Sequence, residues 1–130
     1  MRVFISHKFR GRNKKKLRKS LEKICALLEA QGNETFVFFR DKENWGEKKY
    51  LPGEVISAAF KEIEKSDSLL YFVDHKEPSK GALLEFGYAK ALNKKTVLLI
   101  SEKYSFPILE AIADTVIKFE KLEEIEWLSI

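Results

Sequence analysis

A chain of 130 residues, 45% hydrophobic, with 24 basic against 20 acidic residues, has the size of one compact domain able to bury roughly two-thirds of its unfolded surface. The single cysteine, Cys25, excludes an internal disulfide and a multi-cysteine metal site; set among Ile24, Ala26, Leu27 and Leu28, it reads as a core thiol. No apolar run approaches the roughly 20 residues of a membrane span, and "MRVFIS" runs straight into basic residues instead of a secretory pattern, so a cytoplasmic protein is expected.

In chain order, "RVFIS" is a short apolar run and predicts a buried strand. From Asn13, a suitable cap, Leu17, Leu21, Ile24 and Leu28 recur at helical spacing, with Gly32 closing the helix. "ETFVFF" predicts a second strand, and "RDKENWGEKKYLPG" a long polar loop. Val55, Ile56, Ala59, Phe60 and Ile63 mark a second helix, and "SLLYFVD" a third, central strand. Pro78 and Ser79 open the next helix, "KTVLLI" is a fourth strand and "DTVIKF" a fifth. A short helix is expected around residues 108–112, and "KLEEIEWLS" is expected to form the last one.

Strands alternating with helices over residues 1–130 predict a single-domain α/β fold: a five-stranded parallel sheet with helices on both faces. Five strands in this length suit the flavodoxin-like order 2-1-3-4-5. Ligands then gather beyond the carboxyl ends of the strands, at the switch between strands one and three. The residues due there include Ser6, His7, Arg10 and Gly11 after strand one and Arg40 and Asp41 after strand two. Asp74, Ser79, Lys80 and Gly81 follow strand three, and Ser101 strand four.

The helix opening at Pro78 is apolar on nearly every side yet carries Glu85. One turn away lie Gly81, Ala82, Tyr88 and Ala89, and the nearest lysines, Lys80 and Lys90, are five positions off on other sides of the cylinder. Burial without a cation makes such a carboxylate more basic than a solvated one. It either sits at the rim of the core, its stem against Tyr88, or does chemistry. Seven of the ten residues in "RGRNKKKLRK" are basic, which suits either a solvated helix face or a small anion near residues 10–15. Without aromatic residues interleaved beyond Phe9, extended nucleic acid is not expected. Strand one ends without the acidic residues a magnesium-binding receiver domain needs, and neither a glycine-rich phosphate loop nor G-x-G-x-x-G is present. His7 and His75 both follow strands at the rim, where acid–base work or surface exposure are the alternatives. Trp45, in the long loop, is placed either to stack on a base or to cap the sheet edge.

"PSKGALLEFGYAKALNKKTVLLI" resembles the motif of the nucleoside 2-deoxyribosyltransferases and the related 2′-deoxynucleoside 5′-phosphate N-hydrolases: a glycine, then E-x-G-x-A before a lysine and an apolar strand. "VFISHKFRGRN" is similar to the amino-terminal strand and Arg–Gly loop of the hydrolases. The resemblance implies cleavage or transfer at the bond between ribose C1′ and a base, with Glu85 as the nucleophile. Ser79, Lys80, Arg10 and Gly11 would hold a 5′-phosphate. It implies a small nucleoside or nucleotide partner and a homodimer; no cofactor and no metal are expected. In the family a second acid lies about eight residues before strand three, and counting back puts Ala59 there; Asp74, Asp41 or Glu62 are the nearby acids. "VFISH" and "FFRDKENWGEKKYLPG" also look like a TIR domain, in whose enzymatic members a glutamate after strand three cleaves NAD. The alternatives are therefore a TIR-like NAD hydrolase, or a non-catalytic nucleotide-binding or TIR-type interaction module.

Overall fold

Five parallel strands run through the computed structural model, which describes residues 1–130: β1 Arg2–His7, β2 Glu34–Val37, β3 Ser68–Val73, β4 Lys95–Ser101 and β5 Thr115–Phe119. Their order is β2-β1-β3-β4-β5, as the alternation of elements predicts. Every residue of β3 is buried, and every residue of β4 but Lys95. That is why both read as unbroken apolar runs: they lie inside the sheet with both faces covered. The register of β1 on β3 sets Ser6 opposite Tyr71 and His7 opposite Phe72.

Helix α1 (Lys14–Glu29) covers one face with Leu17, Leu21, Ile24, Cys25 and Leu28. Asn13 caps it, its side-chain oxygen accepting the Lys16 N–H at 3.0 Å. Lysines in a first turn oppose the helix dipole, and Lys14 answers by turning its ammonium back to the Phe9 carbonyl, 3.8 Å from the centroid of that ring. The other face is covered by α3 (Pro52–Lys65), α4 (Lys80–Ala91) and α5 (Pro107–Ile112), through Ala59, Ile63, Ala82, Phe86, Ala89 and Leu109. No helix is long and apolar enough to cross a membrane.

Two expectations need correction. "ETFVFF" does not stay extended: the strand stops at Val37, and Phe38–Asp41 form a single helical turn, α2. Asp41 Oδ2 reaches back to accept the Val37 N–H at 2.8 Å, which fixes the turn, while Phe38 and Phe39 remain buried in the two opposite core layers. The polar loop that follows contains a 3₁₀ turn at Asn44–Gly46. There Trp45 packs on the α1 side of the core, edge-on to Phe39 at 5.2 Å and under the Arg18 guanidinium. At the other end, "KLEEIEWLS" forms only a 3₁₀ turn, Leu122–Glu124, and continues without helix. In a helix Glu120 would face Glu123 and Glu124, at spacings of three and four, and such like charges disfavour one. Leu122, Ile125, Leu128 and Ile130 instead lie along the α1 face of the core, and Trp127 is left exposed.

Candidate active site

Ser6 and Tyr71 are neighbours in register on β1 and β3, so both side chains point to the face that α4 covers. Each holds α4 at a different point. The Ser6 hydroxyl donates to Glu85 Oε1, and the Tyr71 phenol oxygen accepts the backbone N–H of Ser79 at 3.2 Å. Glu85 is thereby fixed one turn into α4, half-buried, with a hydroxyl as its partner and no cation. Of the two lysines nearest in sequence, Lys90 pairs with Asp114 at 3.3 Å. Desolvation therefore dominates the carboxyl and pushes its pKa up to about 7, against which the Ser6 hydrogen bond works. Burial also pushes the Tyr71 phenol up to about 12, with the Glu85 charge adding to the effect. The phenol thus stays protonated beside the carboxylate.

Ser79 caps α4. Its Oγ accepts the Ala82 N–H at 3.2 Å and keeps its own proton to donate. With the Ser79 N–H held by Tyr71 and the Ala82 N–H by Ser79, the open amides of the first turn are those of Lys80 and Gly81. A Cβ on Gly81 would meet nothing nearer than Ser79 Oγ at 3.9 Å, so the protein itself leaves room there. Gly11, at φ +74, turns the loop after β1, and Arg10 beside it is exposed. The loops after β1 and β3 are tied together: Lys8 Nζ donates to the Glu77 carbonyl at 3.2 Å, and Arg12 pairs with Asp74. His75 Nδ1–H donates to the same Glu77 carbonyl at 2.7 Å, which leaves Nε2 as a bare, buried acceptor. Burial lowers the pKa of His75 to about 4, so the ring is neutral near pH 7. Arg12 Nη1 is likewise buried without a partner. Beside Asp74, an open polar cleft of about 380 Å³ runs past Ser101, Lys103 and Tyr104, although Glu85 does not line it.

The structure thus brings Ser6, Ser79 and Gly81 together around Glu85's helix, with Lys80 on the same first turn and Asp74 on the loop that leads into it. It separates others. His7 belongs to the opposite face of the sheet, its ring 6.3 Å from Phe39, with burial lowering its pKa to about 4. Arg40 and Asp41 pair at 3.0 Å, and Arg40 also holds the Thr35 carbonyl at 2.8 Å and Glu29 on α1. Their polar atoms are spent on β2, α1 and α2. Ala59 is fully buried on α3. Of the acids near it in sequence terms, Glu62 pairs with Arg2 at 2.6 Å, at the amino end of β1, Asp41 holds Val37, and Asp74 is the one on the loop entering α4. No three His, Cys, Asp or Glu residues gather closely enough to hold a metal. Sequence reasoning missed Tyr71 and the pairing of Arg12. Tyr71 looked like any residue of an apolar strand, and only its register opposite Ser6 marks it.

The sequence matches the family model of nucleoside 2-deoxyribosyltransferases over residues 7–123. The chain belongs to that family. Its fold is similar to the CMP N-glycosidase BcmB of Clostridium botulinum, at 24% identity and TM-score 0.69 over 95% of this chain and 93% of the other. It is similar to the 2-deoxyribosyltransferase of Bacillus psychrosaccharolyticus, at 18% identity and TM-score 0.67 over 100% and 93%. A conserved protein of Enterococcus faecalis V583 is also similar, at 15% identity and TM-score 0.70 over 95% and 96%. No curated protein sequence matches the chain significantly. As a member of the nucleoside 2-deoxyribosyltransferase family, the chain is an enzyme of N-glycosidic bond cleavage or transfer, and the family's substrates are small nucleosides or nucleotides.

Proposed function

We propose that the protein cleaves the N-glycosidic bond of a nucleoside 5′-monophosphate or nucleoside, with Glu85 as the nucleophile. The observation that carries this reading is the half-buried Glu85 carboxylate, held by the Ser6 hydroxyl, without a counter-ion, and with a pKa near 7. A cation clamped on it would hold down its reactivity; a hydroxyl orients it and leaves it nucleophilic. In the first step one carboxylate oxygen bonds to C1′ as the C1′–N bond breaks and its electron pair leaves with the base. In the second, water attacks C1′, loses a proton and frees the carboxylate, passing both times through an oxocarbenium-like transition state. A second nucleoside base in place of water gives transfer.

The 5′-phosphate is assigned to the Ser79 hydroxyl and the open Lys80 and Gly81 amides, where a helix amino terminus favours an anion, with exposed Arg10 beside the Gly11 turn as the cation. Asp74, on the rim, is assigned to the sugar or base. The chain is also proposed to act in the cytoplasm as a homodimer. Support for the dimer comes from Leu83 and Ile108, exposed in the lining of an apolar groove of about 460 Å³, with Leu84 and Ile112 exposed on the same two helices. Incubation with nucleosides, their 5′-monophosphates and NAD, followed by chromatography of released base, tests the function. Base release that disappears in Glu85→Gln supports it, and unchanged release in that variant refutes the assigned nucleophile.

A further inference from the structure

Ser6 is the side chain that hydrogen-bonds Glu85, and the histidines and acids of this chain that could protonate a leaving base are committed elsewhere. The ring N–H of His75 is held by the Glu77 carbonyl, and its Nε2 carries a lone pair. His7 faces the other side of the sheet. The Tyr71 phenol is engaged by the Ser79 N–H at 3.2 Å, and burial, which pushes it up to about 12, makes it a poor match for proton transfer near pH 7. Asp74 is bound into an ion pair with Arg12. Glu62 and Asp41 are tied to Arg2 and Val37, and position 59 is a fully buried alanine. The departing base of an ordinary nucleoside needs a proton, because its ring nitrogen otherwise leaves as an anion. A positioned general acid is worth about 10²–10⁴-fold in such a step.

A second observation points the same way. Glu85 is held partly out of water with a single neutral donor and no positive partner. A buried carboxylate ordinarily recovers its desolvation cost from a cation. No cation of this chain contacts it, so a positively charged ligand would supply the counter-charge that Glu85 lacks.

We infer that the enzyme's preferred substrates are N-ribosyl compounds whose base is already cationic at the glycosidic ring, such as N-ribosylpyridinium or ring-alkylated purine 5′-phosphates. This rests on Glu85 being the nucleophile. When its carboxylate bonds to C1′ of such a substrate, the C1′–N electron pair neutralises the ring. The base departs uncharged and no proton is required. Water then attacks C1′ and gives its proton to solvent, so the overall step consumes one water and releases neutral base, sugar phosphate and H⁺. In the bound ground state the cationic ring supplies the counter-charge that the protein withholds from Glu85.

The test compares matched pairs on the purified full chain: 7-methylguanosine 5′-monophosphate against GMP, and nicotinamide mononucleotide against CMP and dCMP. Base release is read by chromatography, and each rate is divided by the uncatalysed hydrolysis rate of the same compound. The expected result is a corrected kcat/KM at least about 100-fold higher for the cationic member, the lower bound on what a missing general acid costs. Glu85→Gln should abolish release from both members. Corrected values within about 10-fold within each pair overturn the inference and leave the nucleophile in place. Release that survives Glu85→Gln overturns the nucleophile. Release from no compound overturns both.

Discussion

Replacing Ser6 by alanine isolates the one hydrogen bond that the protein gives the Glu85 carboxylate. A hydrogen bond to a charged group contributes about 1.5–3 kcal/mol, and about 1.4 kcal/mol corresponds to one pKa unit. The wild-type carboxyl sits near 7, raised by burial and held back by Ser6, so Ser6→Ala should carry it upward to about 8, taking the lower end of that range. At pH 7 the nucleophilic, ionised fraction then falls from about one-half to about one-tenth, a roughly fivefold loss of kcat/KM. At pH 9 both proteins are nearly fully ionised, so the loss should shrink to little or nothing. The assay is the pH dependence of base release from pH 5 to 10, paired with a ¹³C-carboxyl NMR titration that reads Glu85 without turnover. An acid limb that stays put or moves to lower pH in Ser6→Ala would refute the electrostatic reasoning. A loss that persists undiminished at pH 9 would show that Ser6 orients the carboxylate and does not tune it.

Because the folded-state pKa of Glu85 lies above its ordinary 4.5, its ionisation costs stability, absent below pH 4.5 and complete above about 7. Glu85→Gln should therefore be more stable than wild type by up to about 3 kcal/mol at pH 8, with the gap closing at pH 4, as chemical denaturation at the two pH values would show. His75 behaves in the opposite sense: lowered to about 4, it contributes stability above pH 6.5 that is lost as pH falls through the folded value. His75→Phe should flatten the acid limb of the Tm-against-pH curve between pH 6.5 and 4. Tyr71→Phe frees the Ser79 N–H, and the expected outcome is a loss of about 1 kcal/mol of stability. Its KM should rise for 5′-phosphorylated substrates and stay unchanged for the free nucleosides. Arg10→Ala removes an exposed side chain, so its Tm should stay put while the KM for the phosphorylated substrate rises about 3–10-fold.

What the sequence made legible follows from where physics acts locally. The apolar runs of β3 and β4, Asn13 capping α1 and the alternation of elements report burial and periodicity, and they lead directly to the strand order. The phenylalanines of α2 misled because a core residue is apolar whether its backbone is extended or helical; the reach of Asp41 to Val37 decided it. The carboxyl-terminal segment has apolar residues at helical spacing, but its glutamates oppose a helix, and the tail packs on α1 without one. Glu85 was conspicuous as a lone charge among apolar neighbours. Its partners were not: Ser6 lies 79 positions away, and Tyr71 acquires its role only through strand pairing.

The absence of an ion pair at Glu85 also separates two responses to ionic strength. Mobile ions screen exposed charges over about 10 Å at 0.1 M, but they do little to a carboxylate governed by burial and a neighbouring hydroxyl. Added electrolyte should thus weaken the long-range capture of an anionic substrate by exposed Arg10, while the reactivity of the bound complex stays nearly constant. The molecule's sensitivity to its ionic surroundings resides in encounter, and its chemistry is insulated.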